Sequence, residues 1–323
     1  TATSGNGGAI YLNNNAIATL VANTQNVTFS GNTANGVNNG VGFGSNSTLN
    51  ANANSGVGEV IFLDRITATG GSNVIHLNRT GTWNTATSPN TPTGNGIPTT
   101  APTTGNIRLN ADMSGFSGAS NTLNLYGGSL YLGSSGTFFN NINFNASNNA
   151  TLNLINSKID TINLASGSFD NLNLHLDVNL LTNQIDNISA GSFTGNTVRV
   201  QGLNLLNDGS GGLVYVSPTN QLDISLNPSL SQVTGPVYMY NVSNNGNGAL
   251  LFQRSDQTAP AVQASPTVKK GVQIGIVDNS RMVLNRADEV MSFMDTVLYQ
   301  TGVEYDKVNK VALLEGFPEY SGM

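Results

Sequence analysis

The chain has 323 residues, no cysteine, and 12 Lys+Arg against 18 Asp+Glu, a net charge of −6. At that length one or two domains are expected. The acidic balance argues against a nucleic-acid partner, which needs a basic surface, while the missing thiols exclude disulfide frameworks and thiolate metal sites and suit export through an oxidising compartment. Charged residues make up only 9% of the chain, against roughly 25% in ordinary domains, so solubility must come from amides and hydroxyls. Asn alone occurs 49 times, and the first charged side chain is Glu59.

Residues 1–82 hold strand candidates at 9–12, 16–21, 27–29, 60–63 and 74–77. The opening Thr1-Ala2-Thr3-Ser4-Gly5 reads as the middle of something, so any export signal is expected outside this stretch. Residues 83–106 carry four of the ten prolines and many Thr, and read as a loop inserted between strand-rich coils, because Pro removes ladder donors. From Ile107 to about Gln253 apolar–polar–apolar beats return, including Leu123-Asn124-Leu125, Val198-Arg199-Val200 and Leu222-Asp223-Ile224.

The most regular stretch lies between. Ile142-Asn143-Phe144, Leu152-Asn153-Leu154, Ile162-Asn163-Leu164 and Leu172-Asn173-Leu174 stand ten residues apart. Each beat has the period of a half-buried strand, and a helix cannot supply it. Short, evenly spaced strands joined by Asn/Ser/Gly turns predict a β-solenoid, in which each coil buries its core by stacking on the next. All eight apolar residues of these triplets are expected to point inward. With about 20–25 residues per coil, roughly 10–12 coils and a rod near 50–60 Å are expected over residues 1–250. Gly7-Gly8-Ala9-Ile10-Tyr11-Leu12, Gly127-Gly128-Ser129-Leu130-Tyr131-Leu132 and Gly211-Gly212-Leu213-Val214-Tyr215-Val216 share a second pattern. In it two glycines turn a corner and Tyr faces outward. Asn tolerates the left-handed backbone of tight turns, and its amide can bond to the Asn one coil above.

The body thus spans residues 1–253, followed by a linker and terminal strand at 254–284, with the strand at 272–277, and a helical tail at 285–323. Asn285 is expected to cap that helix, with Asp288 and Glu289 in its first turn. Its apolar face of Val290, Phe293, Met294 and Val297 is a candidate interaction surface, since a helix of about 14 residues needs something to lie against. That surface is the last coil, a membrane barrel or a second subunit. No run reaches the roughly 18 apolar residues of a membrane-spanning helix.

Phe29-Ser30-Gly31-Asn32, together with Gly7-Gly8-Ala9-Ile10, resembles the FxxN and GGAI repeats of chlamydial polymorphic membrane proteins and related autotransporters. The stretch around Asp177-Val178-Asn179 and Asp186-Asn187-Ile188 is similar to the distal coils of pertactin-like passengers. The resemblance covers roughly residues 1–250. It implies a right-handed parallel β-helix, exported by the type V route and displayed at a Gram-negative surface, with a C-terminal membrane barrel that is not part of this sequence.

For chemistry the residues offer little. Glu59, Asp64, Arg65, His76 and Arg79 are the densest charges before the linker, and a lyase or glycosidase would need such acids to converge. Surface ion pairs are the plainer expectation. Isolated His175 reads as a surface residue. Two histidines and scattered acids make no metal-ligand set, and no cofactor is expected. Thr67 and Thr69 are an isolated pair rather than an ice-binding array. Trp83, Tyr11, Tyr131 and Tyr215 are outward aromatics able to contact glycans. The expected protein is an adhesive or structural surface passenger and not an enzyme, with a host or cell-surface glycan or protein, or a second copy of itself, as partner. The alternatives are a carbohydrate-active β-helix, such as a polysaccharide lyase or tailspike-like depolymerase, and a self-assembling filament or sheath subunit.

Overall fold

A computed structural model describes residues 7–56, 58–79, 102–195, 198–209, 224–244 and 248–255, and the backbone of 213–216, 256–258, 272–278, 281–286, 304–306 and 311–313. Two compact units divide the chain, one of Thr1–Pro236 with Tyr240–Arg254, the other of Val237–Met239 with Ser255–Met323. The first is a parallel β-helix.

Its coils pass over three faces. The first face holds Ile10–Leu12, Val41–Phe43 and Ile66–Ala68, and resumes as the pair Thr161–Leu164 and Asn187–Ala190. Between those two stretches Asp112 and Thr137 form an isolated parallel bridge beside the 3-10 turn Ser114–Phe116. The second face is a sheet of seven strands, from Ile17–Ala22 to Phe193–Thr194. The third runs from Val27–Phe29 to Ile224–Leu226. All strands stacked from coil to coil are parallel, as in Ile107↔Leu130, Leu130↔Leu152 and Leu152↔Leu174.

Among the described residues seven strands stack on the second face and eight on the third, which makes eight coils, not ten to twelve, and a stack of roughly 35–40 Å at about 4.8 Å per coil. The expectation failed because coils differ in length. Side chains stacked on neighbouring coils are 21 residues apart for Asn124 and Asn145, 31 for Thr19 and Asn50, and 48 for His76 and Asn124. The last interval contains the Pro/Thr-rich insertion. In sequence it falls between Val74–Leu77 of the second face and Asn106–Leu109 of the third, two strands of one coil, and not between coils.

The ten-residue beat marks successive faces of the prism. Ile142-Asn143-Phe144 lies at the second face, Leu152-Asn153-Leu154 at the third, Ile162-Asn163-Leu164 on the first, and Leu172-Asn173-Leu174 on the third again. All eight apolar members are 5% exposed or less. One strand breaks the beat. Ser166–Phe169 belongs to the second face and places Gly167 inward. A Cβ there would come within 2.6 Å of the Phe193 ring. That missing side chain makes room in a file of rings running through the core, Phe43–Phe116–Phe139–Phe138–Phe144–Phe169–Phe193, each 5.0–5.6 Å from the next.

Asparagine has both expected uses. Among the described residues nine of the eleven non-glycine positions with left-handed backbone are Asn, the other two Ser. Inside the coils Asn73 Oδ1 accepts the Ser47 N–H at 2.9 Å, and Asn121 Oδ1 accepts the Asn73 N–H at 3.0 Å. Both are at most 1% exposed. Such stacked amides satisfy corner backbone groups that burial would otherwise leave unpaired.

The three Gly-Gly-x-x-Tyr segments are not equivalent. One lies on the first face and one on the third, while Leu213–Val216 pairs antiparallel with Leu250–Thr258. The first two fit the corner reading: a Cβ on Gly8 would meet the Asn39 carbonyl oxygen at 2.3 Å, while Gly211 and Gly212 lie outside the described residues. Gly128 has φ +67°, and a Cβ would meet the Gly105 carbonyl oxygen at 2.4 Å.

Coils are expected to reach Gln253; among the described residues the last strand stacked in parallel is Ile224–Leu226. A four-stranded sheet follows in the order Leu213–Val216, Leu250–Thr258, Tyr238–Asn244, Gln232–Thr234. Within the first unit, Asn244 Nδ2 donates to the Ile224 carbonyl on the last strand of the third face. Tyr240 is buried and its hydroxyl accepts the Gly209 N–H at 3.1 Å. The second unit contains Val272–Asp278, Arg281–Arg286, Val311–Leu313 and Glu304–Asp306, an antiparallel sheet in that order. Asn285 and Arg286, expected to open a helix, close a strand instead. Val290, Phe293, Met294 and Val297 lie outside the described residues.

Candidate functional site

Alternation on the third face sends every second side chain outward, and parallel register lines these up across coils. One outward file runs Thr28, Ile61, Arg108, Tyr131, Asn153, His175. Its neighbour contains Asn106, Ser129, Thr151 and Asn173, with Glu59 at the foot of the strand Val60–Phe62.

These side chains hold one another. Glu59 Oε2 accepts from Arg108 Nε at 2.8 Å, while Oε1 accepts from Arg108 Nη2 at 2.9 Å and from Asn106 Nδ2 at 2.8 Å. The two-pronged geometry matches a planar guanidinium to a carboxylate. The Arg108 hydrogen bond accordingly lowers the Glu59 pKa. The guanidinium carbon also sits 4.4 Å from the Tyr131 ring centroid, so the ring is oriented from one side. Asn153 Oδ1 accepts the Ile155 N–H at 3.0 Å, which turns its Nδ2 toward His175 Nδ1 at 3.4 Å. The ring proton of His175 therefore belongs on Nε2. Burial lowers the His175 pKa. A shallow depression beside Glu59 is lined by Asn26, Gly56, Gly58, Glu59 and Asn106.

A comparable file lies on the second face. Asn145 Nδ2 donates to Asn124 Oδ1 at 2.8 Å, and Asn124 Nδ2 donates to His76 Nδ1 at 3.1 Å. The Tyr126 hydroxyl reaches the same nitrogen at 3.3 Å. Burial first, then the Arg79 charge, lowers the His76 pKa to about 4. His76 is thus a neutral acceptor at physiological pH.

The acids that could have made a catalytic pair do other work. Asp64, 1% exposed, accepts from the Gly31 and Asn32 N–H groups at 3.0 and 2.8 Å, from Asn32 Nδ2 at 2.7 Å and from Asn38 Nδ2 at 2.6 Å. Arg65 pairs with Asp112 at 3.1 Å. Glu59 and Asp64 are therefore each taken up by separate partners, and of the expected charge cluster Arg79 acts on His76. Asp177 and Asp186 are both fully buried. Asp177 Oδ2 accepts the Asn156 and Ser157 N–H groups, each at 2.7 Å. Asp186 accepts the Asp160 and Asp177 N–H groups at 2.7 and 2.6 Å. Burial, with the nearby Asp177 and Asp160 carboxylates, pushes Asp186 up to about 8 against the pull of those donors. Among the described residues no three His, Cys, Asp or Glu could hold a metal ion.

Of the outward aromatics, Tyr11 is 42% exposed and Tyr131 half-buried. Trp83 and the Tyr215 side chain lie outside the described residues. The Thr67 hydroxyl accepts from Asn39 and that of Thr69 donates to a backbone carbonyl, so neither belongs to a free array. Sequence reasoning missed Arg108, Asn106 and the pairing of Asn153 with His175. The alternation Ile107-Arg108-Leu109 is a signal that could have marked Arg108 as outward, but its partner Glu59 is 49 residues away, across the insertion, where no spacing rule reaches.

No protein-family model and no curated protein matches the chain. Among solved structures it is similar to the crystal structure of the Haemophilus influenzae Hap adhesin, at 17% identity and a TM-score of 0.36, over 76% of this chain and 24% of that one. The chain therefore spans about a quarter of that chain's length. A likeness at that score adds nothing to the geometry above.

Proposed function

We propose that the chain is a surface-displayed adhesive or structural β-helix passenger of an autotransporter-like protein, which binds partners without transforming them and is able to associate with itself. The disposition of the acids carries this reading. Asp64, Asp177 and Asp186 are engaged by backbone N–H groups and Glu59 by Arg108, while the outward files are mainly amides and hydroxyls, with Ile61, Arg108, Tyr131, His175 and Arg199 among them. General acid–base hydrolysis wants two carboxyl groups flanking a bond; binding wants a stiff, extended polar face. The FxxN and GGAI resemblance supports display at a Gram-negative surface by the type V route.

Two readouts test the proposal. Protease treatment of intact source cells should remove the epitopes of the first unit while leaving cytoplasmic markers whole. Beads coated with the purified chain should adhere to host or bacterial cells, or to one another. Protected epitopes would overturn surface display, and beads no stickier than albumin-coated controls would overturn adhesion.

A further inference from the structure

Two adjacent outward files of the third face combine a fixed carboxylate, a fixed guanidinium, an oriented phenol and an amide on consecutive coils. We infer that this strip, from Glu59 on one file to Arg108, Tyr131 and Asn153 on the other, binds a neutral, linear glycan lying along the coil axis. The inference deepens the adhesive reading above and rests on it.

Three observations select the ligand. Charge comes first. Glu59 and Arg108 neutralise one another through two hydrogen bonds, Asn106, Asn153, Ser129 and Thr151 carry no charge, and burial disfavours protonated His175. Arg199 is the exposed cation at the far end of the neighbouring file. An anionic polymer would meet no run of cations, and a cationic one no free acid. The second is chemistry. The carboxylate accepts from sugar hydroxyls, the guanidinium and amides donate to them, and the half-exposed Tyr131 ring offers an apolar surface to sugar C–H groups. The third is form. Side chains in register on a parallel sheet repeat at about 4.8 Å, so equivalent polar groups recur along a straight line and suit a ligand that itself repeats along a line. At the Glu59 end Gly56 and Gly58 keep the depression open, and a Cβ on Gly58 would strike the Gln25 carbonyl at 2.6 Å. Glu59, Arg108, Tyr131 and Asn153 are each already oriented by a partner, which lowers the ordering cost of binding.

A glycan microarray of neutral and acidic oligosaccharides tests this, with the wild-type chain compared with Tyr131→Ala, Glu59→Gln and Asn153→Ala. Ser168→Ala, outward on the second face, serves as control, and bead adhesion is measured in parallel. Thermal melts identify folded variants; Asn153→Ala stands in should Tyr131→Ala fail to fold. The expected result is binding to neutral linear oligosaccharides that weakens at least about tenfold in Tyr131→Ala, as for loss of an aromatic anchor, and is unchanged in Ser168→Ala. Binding confined to acidic glycans, or neutral binding indifferent to all three third-face variants, overturns the inference. Beads that adhere while no glycan binds overturn it and leave the adhesive reading standing. Loss of both removes both.

Discussion

Asp64 shows how a carboxylate can look catalytic in a sequence and be architectural in the fold. It receives three hydrogen bonds from the turn that follows Phe29 and a fourth from Asn38, and that turn carries the Phe29-Ser30-Gly31-Asn32 motif. Asp64→Ala should leave those donors facing a void. It should destabilise the chain by about 3 kcal/mol or more, read as a lower urea midpoint, with loss of amide-exchange protection at Gly31 and Asn32; an unchanged midpoint would mean that the turn holds itself. His76 gives a pH signature. Its folded pKa, about 4, lies below the ordinary value of roughly 6.5. The contribution of its neutral form to stability is therefore full above pH ~6.5 and is lost as pH falls toward 4. Melting temperatures across that window should decline less steeply for His76→Gln than for wild type. Parallel curves would assign the decline to other groups.

At the scale of the strand, inward and outward positions differ in kind. Leu154 is fully buried and Asn153 is half-exposed. Leu154→Asp should cost at least about 3 kcal/mol, because the charge finds no partner in an apolar core. Asn153→Asp should cost under about 1 kcal/mol. Equal urea midpoints would reverse the assignment of faces. Gly128→Ala combines a positive φ with a 2.4 Å clash on backbone and should cost roughly 2–4 kcal/mol, more than Gly56→Ala, where φ is +75° but the space is open. Much of this level was legible in the chain. The strands 27–29 and 74–77 fall where their alternation put them, and the inward set of all four triplets is as expected. Thr48–Ala53 was missed because Asn50 and Asn52, both fully buried, break the apolar signal with polar side chains that only the folded surroundings cover. Coil number was missed because the beat counts faces, and coils of unequal length share no period.

The first unit as a whole is a stack whose core continuity comes from a file of phenylalanines and whose corners come from asparagine. Chemistry is concentrated on outer faces, built from residues brought together across 21 to 49 positions of sequence. Sequence patterns reveal which side chains point outward, but the files they form depend on register between coils, which no local motif encodes. The central claim is that these faces bind and do not catalyse. Its most direct measurement follows the purified chain on an immobilised polysaccharide or cell surface that it adheres to, recording bound protein and released saccharide fragments together over time. Constant bound protein with no fragments beyond a protein-free control is the predicted result. Fragments accumulating with time in proportion to the chain added would contradict it.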